Sequence, residues 1–209
     1  MSETFVDLAR WPRAAQFNLF RKYTRPHFAV TSRIDVSHLM ARKAEGLSPY
    51  RCCLFAIGHG IHAVPELRMR FRADQVILYD QITLSMTVPT KAGSFGFAYL
   101  PFESSFSAFD AAAKAEIDRV SCGDPSPPNE GARTDLAYLS CMPWLDFTSI
   151  SNAMPGPDDC IPRVGWGKFV DHGNGGWDMA MSIEVHHALA DGEHVGGFFN
   201  AVQSALDTL

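Results

Sequence analysis

Strand-like runs of alternating or β-branched residues fill most of the chain after Leu67, and they restrict the fold more than any other feature. They come in succession, separated by turn signals, and do not alternate regularly with helices. This arrangement predicts an α+β fold, a two-layer sandwich in which helices pack a mixed β-sheet. The runs are LRMRFR, QVILYD, QITLSMTV, SFGFAYL, LAYLSCMPW, LDFTSIS, IPRVGWGKFVD and WDMAMSIEVHH.

Helical patterns precede, interrupt and follow these strands. The segment WPRAAQFNLFRKY has proline at the first helical position and reads as a short amphipathic helix before the strand HFAVTSRIDV. Asp35 is expected to cap a helix from Val36 to Glu45 that Gly46 closes. Three more helices are predicted in YRCCLFAIGHGIHAV, in SSFSAFDAAAKAEIDRV and from about His194 to Leu206.

Length and composition favour one globular domain spanning residues 1–209. The chain has 209 residues, of which 46% are hydrophobic, enough for one well-packed core and short for two. A net charge of −5 without a basic cluster argues against a nucleic-acid or anionic-membrane partner. No run approaches the length of a membrane span and no leader is recognisable, so a cytoplasmic location is expected.

Cysteine and histidine spacing gives no indication of a metal site. The five cysteines include an adjacent pair and form no CxxC motif, so reduced thiols are expected. A set made of His186, His187, Asp191 and His194 departs from the HExxH pattern, and neighbouring residues of a strand point to opposite faces. We therefore expect no bound metal.

The segment EVHHALADGEHVGGFF carries the strongest candidate chemistry. Histidine moves a proton readily near neutral pH, and the alternation of the preceding strand predicts that His187 faces the buried side, where the neutral form is favoured. Asp191 followed by Gly192 is also an ordinary start for a helix. From these residues alone, a catalytic base and a simple strand-to-helix junction both remain open.

His187-Ala-Leu-Ala-Asp191-Gly192 matches the HxxxDG pattern of CoA-dependent acyltransferases, and the longer stretch resembles the chloramphenicol acetyltransferase family. Further resemblances follow in the same order and cover nearly the whole chain. They are Trp11-Pro12-Arg13 with Phe17 and Phe20, TSRIDV, ELRMRFRADQVILYD, LSCMPWLDFTS and WGKF.

The resemblance implies a homotrimer with active sites at subunit interfaces and direct transfer from acetyl-CoA, with no permanently bound cofactor. His187 would be the general base and Ser140 the donor to the oxyanion. Asp191 would pair with Arg13 and hold the histidine loop in place.

The same resemblance places the binding residues. Tyr50, Trp144, Lys168 and Phe169 would lie near CoA, while Ser48 replaces a lysine that can meet a CoA phosphate. Gly165 replaces a threonine that assists the intermediate through water. The acceptor site would be lined by Phe20, Phe28, Phe95, Ile150 and Asn152, where Phe20 replaces a tyrosine and Ile150 and Asn152 replace phenylalanine and leucine.

The resulting hypothesis is an acetyl-CoA-dependent O-acetyltransferase that acts on chloramphenicol or a related antibiotic and so confers resistance. One alternative is a homologue that acetylates a different small alcohol or amine, because several acceptor positions differ. A trimeric binding protein without turnover is the other.

Overall fold

A six-stranded mixed sheet forms the centre of the molecule. The computed structural model describes residues 2–91 and 93–209. The strands are β1 (Glu3–Phe5), β2 (His27–Asp35), β3 (Met69–Arg72), β4 (Gln75–Tyr79), β5 (Thr83–Pro89), β6 (Phe95–Pro101), β7 (Leu136–Cys141), β8 (Arg163–Asp171) and β9 (Trp177–His186). The helices are α1 (Ala14–Phe20), α2 (Ser37–Ala41), α3 (Pro49–Ala63), α4 (Phe106–Ser121) and α5 (Gly192–Thr208).

The order of the strands confirms the predicted mixed sheet. The large sheet runs β2-β9-β8-β7-β5-β6, with β7 parallel to both β5 and β8 and the other pairs antiparallel. A small antiparallel sheet has the order β1-β4-β3. Its β3-β4 hairpin has a two-residue turn at Ala73 and Asp74, and the φ of Ala73, 53°, lies in the left-handed region that such a turn requires.

Helices cover one face of the large sheet and form the main core with it. Helix α3, predicted in YRCCLFAIGHGIHAV, lies in this core, and nine of its residues are buried. The side chains of β9 that face the core are Met179, Met181, Ile183 and Val185, and they share the cluster with Phe198 of α5. The opposite face of β9 carries Ser182, Glu184 and His186, which are also buried.

The predicted strand LDFTSIS is wrong, and residues 145–151 are irregular. A register shift in β8 between Trp166 and Phe169 creates a bulge. The carbonyl of Leu145 accepts a hydrogen bond from Lys168 N at 2.7 Å in this bulge. A Cβ at Gly167 would lie 2.5 Å from the Leu145 oxygen, so only glycine allows the segment to cross here.

Three predicted helices have different limits. The helix expected from Val36 to Glu45 divides into α2 and a short 3₁₀ turn, Lys43–Glu45, which Gly46 closes at φ 89° as predicted. Helix α1 begins at Ala14, after the proline, and α5 begins at Gly192. With these limits, Arg13 and Asp191 are the N-cap residues of α1 and α5, directly before the first helical residue.

Close packing between α3 and α5 gives a stability prediction. A Cβ at Gly60 would lie 2.7 Å from Val202 Cγ2 and 2.9 Å from Phe198 Cδ2. Overpacking costs about 1–3 kcal/mol, which exceeds the helix-propensity gain of about 1 kcal/mol. We expect Gly60→Ala to lower the free energy of unfolding by about 1 kcal/mol in urea titrations at fixed protein concentration.

Gly196 of α5 is the matched control for Gly60. A Cβ there would meet no atom within 4 Å, so Gly196→Ala should raise the free energy of unfolding by up to about 1 kcal/mol. Equal stabilisation by the two substitutions would contradict the close contact at Gly60.

Candidate active site

The start of α5 fixes the conformation of Asp191. Asp191 is the N-cap, and its Oδ1 accepts hydrogen bonds from Glu193 N at 3.1 Å and from His194 Nδ1 at 2.7 Å. Burial by itself would raise the pKa of Asp191, but the His194 hydrogen bond and the Arg13 charge outweigh it and lower that pKa. The stabilisation from ionised Asp191 is therefore present above about pH 4 and is lost as the pH falls through the lowered value.

Arg13 joins the N-terminal segment to the turn between β9 and α5. Its Nη1 pairs with Asp191 Oδ2, and its Nη2 donates to the carbonyl oxygen of His187 at 3.1 Å. The arginine is buried, with 8% of its surface exposed. One guanidinium thus holds both the aspartate and the backbone of the histidine, in the pairing that the sequence predicted.

His187 lies directly after β9 and is held on both sides. Its backbone N–H donates to the Pro26 carbonyl at 2.9 Å. Its ring stacks on Phe20, with centroids 3.8 Å apart and planes 6° apart, and Phe28 lies at 4.6 Å. Nδ1 is buried without a hydrogen-bond partner in the described residues, whereas Nε2 is not buried. Nε2 is therefore the nitrogen that can meet a substrate proton.

The exposure of the two adjacent histidines differs from what the alternation of the strand predicts. The strand ends at His186, which is 2% exposed, and His187 is half-buried in the following turn. His186 Nδ1 accepts from Ala188 N at 3.1 Å, and its Nε2 lies 2.9 Å from the Pro157 carbonyl oxygen. Burial, reinforced by neighbouring His27, lowers the pKa of His186 to about 4, so it remains neutral and supports the turn.

Ser140 belongs to a second group on the sheet face opposite the helices. It is exposed on β7 and pairs in register with Gly165 of β8. A Cβ at Gly165 would lie 3.7 Å from Ile150 Cδ1 and 3.3 Å from Met142 Cε. Ser140, Gly165 and Ile150 thus form one patch, which we call the serine cluster.

The register of the sheet separates this serine from the histidine of the same chain. Gly165 is level with Ser140 on one side and with Ser182 of β9 on the other. β9 continues for four residues beyond Ser182 to His186, which at about 3.3 Å per residue is roughly 13 Å further along the sheet, and His187 follows in the turn. One chain therefore cannot direct both side chains at one reacting group, which requires a separation of about 3 Å.

The four residues assigned to CoA border two neighbouring cavities. Tyr50, Lys168 and Phe169 line a cavity of about 520 Å³. Tyr50 and Trp144 line another of about 560 Å³, and Tyr50, Cys141 and Pro143 belong to both. The structure thus brings these residues together. Sequence reasoning missed Cys141 and Pro143, although both occur in the quoted run LSCMPW.

The five residues predicted to line the acceptor site lie in separate parts of the structure. Phe20 and Phe28 contact His187, and Ile150 joins the serine cluster. Phe95 is 59% exposed and lines the cavity of Trp144. Asn152 donates from its backbone N and its Nδ2 to Glu184 Oε2, both at 2.8 Å.

Glu184 and Ser48 have functions in the structure that the sequence did not reveal. Glu184 is a carboxylate with 7% exposure that stands between the core residues Ile183 and Val185 of β9, and a charged residue between apolar neighbours was the available signal. Ser48 is the N-cap of α3 and accepts from Arg51 N at 3.4 Å. Its short hydroxyl suits that capping position, which a lysine side chain cannot fill in the same way.

Two further observations concern metal ions and membranes. Among residues 2–91 and 93–209, no three His, Cys, Asp or Glu side chains are grouped so that they could hold a metal ion. In the same part of the chain, no helix is long and apolar enough to cross a membrane.

The Arg13–Asp191 pair gives a second stability prediction. Its side chains are 9% and 34% exposed, between the fully buried pairs that cost about 3–5 kcal/mol to break and surface pairs worth at most about 1 kcal/mol. We expect Arg13→Ala to lower the free energy of unfolding by about 2–3 kcal/mol in a urea titration.

Lys114 offers the comparison for Arg13, because it pairs with Asp118 at the surface with exposures of 62% and 61%. Lys114→Ala should cost less than about 1 kcal/mol. If the two variants lost equal stability, the link made by Arg13 would be no stronger than a surface contact.

Comparisons with known proteins identify the family and the fold of the chain. The family model described as chloramphenicol acetyltransferase matches residues 1–203. Chloramphenicol acetyltransferase 2 of Escherichia coli is 28% identical over 100% of this chain and 99% of that protein, and the Staphylococcus aureus chloramphenicol acetyltransferase is 26% identical over 97% and 94%. A solved chloramphenicol acetyltransferase superposes with a TM-score of 0.88 at 26% identity, covering 98% of this chain and 100% of that one. A dihydrolipoamide acetyltransferase from Azotobacter vinelandii, with a TM-score of 0.65 and 16% identity over 93% and 86% of the chains, shares the fold.

The chain belongs to the chloramphenicol acetyltransferase family, whose enzymes use acetyl-CoA, and is an acyltransferase.

Proposed function

We propose that the protein transfers acetyl from acetyl-CoA to a hydroxyl of chloramphenicol or a related antibiotic, and that His187 is the general base. The observation that carries the proposal is the position of His187, whose ring is clamped by Phe20 while Nε2 stays accessible. Because the stacked ring cannot turn freely, little orientational freedom is lost when the acceptor hydroxyl arrives.

The reaction follows from these positions. Nε2 of His187 takes the proton of the acceptor hydroxyl while that oxygen forms a bond to the thioester carbonyl carbon. The carbonyl oxygen becomes an oxyanion, and the Ser140 hydroxyl donates a hydrogen bond to it. Collapse of the intermediate breaks the C–S bond, and the imidazolium returns its proton to the CoA sulfur. No acyl-enzyme forms.

A homotrimer with active sites at its subunit interfaces completes this scheme. Two strand spacings and about 13 Å of β9 separate Ser140 from the turn that carries His187 of the same chain, so a base from one subunit would act with a serine from its neighbour. Phe95, Trp144 and Leu145 are exposed large apolar residues, which are typical of surfaces that bind a partner. We expect the trimer in the cytoplasm, where acetyl-CoA is available.

In the proposed assembly, CoA would occupy the two cavities around Tyr50. Trp144 and Phe169 offer aromatic surface, and Lys168 offers a charge near the cavity of Phe169. Ser48 provides no cation for a CoA phosphate, so acetyl-CoA binding should depend mainly on these side chains. Losing one exposed phosphate contact would weaken binding modestly.

Acetyl-dependent CoA release tests the base and the oxyanion donor. With chloramphenicol as acceptor, His187→Ala should lower kcat by about 10²–10⁴, the usual contribution of a general base. Ser140→Ala should lower kcat by about 10²–10³ with little change in the KM of acetyl-CoA. Thiol detection needs a protein blank, because the chain has five cysteines.

Exposed His59 supplies the control for this assay, since it lies on α3 and belongs neither to the serine cluster nor to the residues that contact His187. His59→Ala should retain wild-type turnover. Turnover that survives His187→Ala would overturn the assignment of the base, and turnover only with acceptors unrelated to chloramphenicol would favour the alternative substrate class.

Mixed subunits test whether the site is shared. Co-refolding equal amounts of His187→Ala and Ser140→Ala chains should restore about one quarter of wild-type activity, because half of the chains supply the histidine and half the serine at each interface. Light scattering should give three times the chain mass. No recovery in mixed trimers, or a monomer, would contradict a shared site.

A further inference from the structure

We propose that Glu184 selects acceptors that carry a protonated amine at the end remote from the acetylated hydroxyl. This inference rests on the proposed acetyl transfer and specifies the substrate class of the same site. Its starting point is a buried carboxylate that opens into a cavity of about 590 Å³.

The ionic environment of Glu184 leaves its charge without a partner. Its cross-strand neighbour Arg163 pairs with Asp159, at 2.7 Å between Nη2 and Oδ2. Within residues 2–91 and 93–209, no cation forms an ion pair with Glu184. Burying a carboxylate without a nearby cation costs free energy. A cation that binds to Glu184 in this cavity is therefore stabilised more than one that binds to an exposed carboxylate.

One carboxylate oxygen is free to receive such a group. Oε2 accepts both hydrogen bonds from Asn152, at 2.8 Å each. Oε1 has no hydrogen-bond partner among the described residues and is not buried. The Asn152 bonds therefore hold the carboxylate in place while its second oxygen is open to the cavity.

The other described residues that line the cavity supply no second carboxylate for a bound cation. Arg25 also lines the cavity and is an exposed cation, and the Nε2 of His27 lies 2.5 Å from the Asp159 carbonyl oxygen. The remaining lining includes Ser151 and Met154, which carry no charge. Glu184 is thus the only carboxylate among the described residues that line this cavity.

The sheet register sets the length of acceptor that could reach both groups. Ser140 and Glu184 lie on the same face, separated by two strand spacings and two residues along β9. This geometry gives about 12 Å between their backbone positions. Asn152 and Ser151, which line the cavity, directly follow Ile150 of the serine cluster along the chain. An amine about 10 Å from the reacting hydroxyl fits this spacing.

Two analogues of chloramphenicol provide the matched probes. One has a para-aminomethyl group in place of the nitro group, and the other has a para-hydroxymethyl group of similar size. The aliphatic amine is protonated at neutral pH, so the pair differs mainly in one charge. Acetyl transfer to each gives kcat/KM, and calorimetry on the enzyme gives the dissociation constant of each analogue.

Glu184→Gln is the decisive variant, because the glutamine oxygen can still accept both Asn152 hydrogen bonds while the negative charge is lost. We expect the wild type to prefer the ammonium analogue by at least about tenfold, the worth of one charge-assisted hydrogen bond. The preference should fall to about one in Glu184→Gln. Glu103→Gln, at an exposed loop position, should keep the wild-type preference.

Several outcomes would overturn the inference. They are equal use of both analogues by the wild type, a preference that persists in Glu184→Gln, and a change in assembly mass in that variant, which would assign the charge to a subunit contact. If chloramphenicol turns over and neither analogue does, the inference fails while the proposed function stands. If no acceptor turns over, the proposed function fails, and the calorimetric preference alone decides whether Glu184 selects the ammonium.

Discussion

The guanidinium of Arg13 is the interaction on which the candidate site depends. It comes from the segment before α1, and it ties Asp191 at the start of α5 to the backbone of His187 at the end of β9. The N-terminal segment and the turn between β9 and α5, which are far apart in sequence, therefore meet at one buried charge. Because the charge is compensated by Asp191, the arginine can be buried without the penalty of an unpaired ion.

Aromatic packing fixes the ring of His187, whose backbone is held by Arg13. Phe20 stacks on the His187 ring and Phe28 supports it from the next strand, while buried His186 bonds to the turn below. The two histidines thus have different roles. One is neutral, buried and structural, and the other keeps an accessible nitrogen. In the proposed mechanism this arrangement supplies a base whose orientation is set before the acceptor binds.

The sheet contributes a second constraint, which concerns distance. Hydrogen-bonded register places Ser140 far from the His187 of its own chain, and this separation favours an active site shared between subunits. The same face carries Glu184, whose charge has no partner in the described chain. Family membership establishes an acyltransferase, whereas the side chains on this face bear on which acceptor it uses.

Sequence alone determined the mixed α+β fold, the HxxxDG segment and the pairing of Arg13 with Asp191, because periodicity and motif order are local or inherited patterns. It placed a strand at residues 145–151, where the β8 bulge instead takes up the backbone hydrogen bond of Leu145. It also predicted that His187 faces the buried side, whereas the structure leaves His187 half-buried and buries His186 on the opposite face, and it passed over Glu184. Only the tertiary structure decided these points, because bulges, strand ends and the compensation of a buried charge depend on neighbours that are distant along the chain.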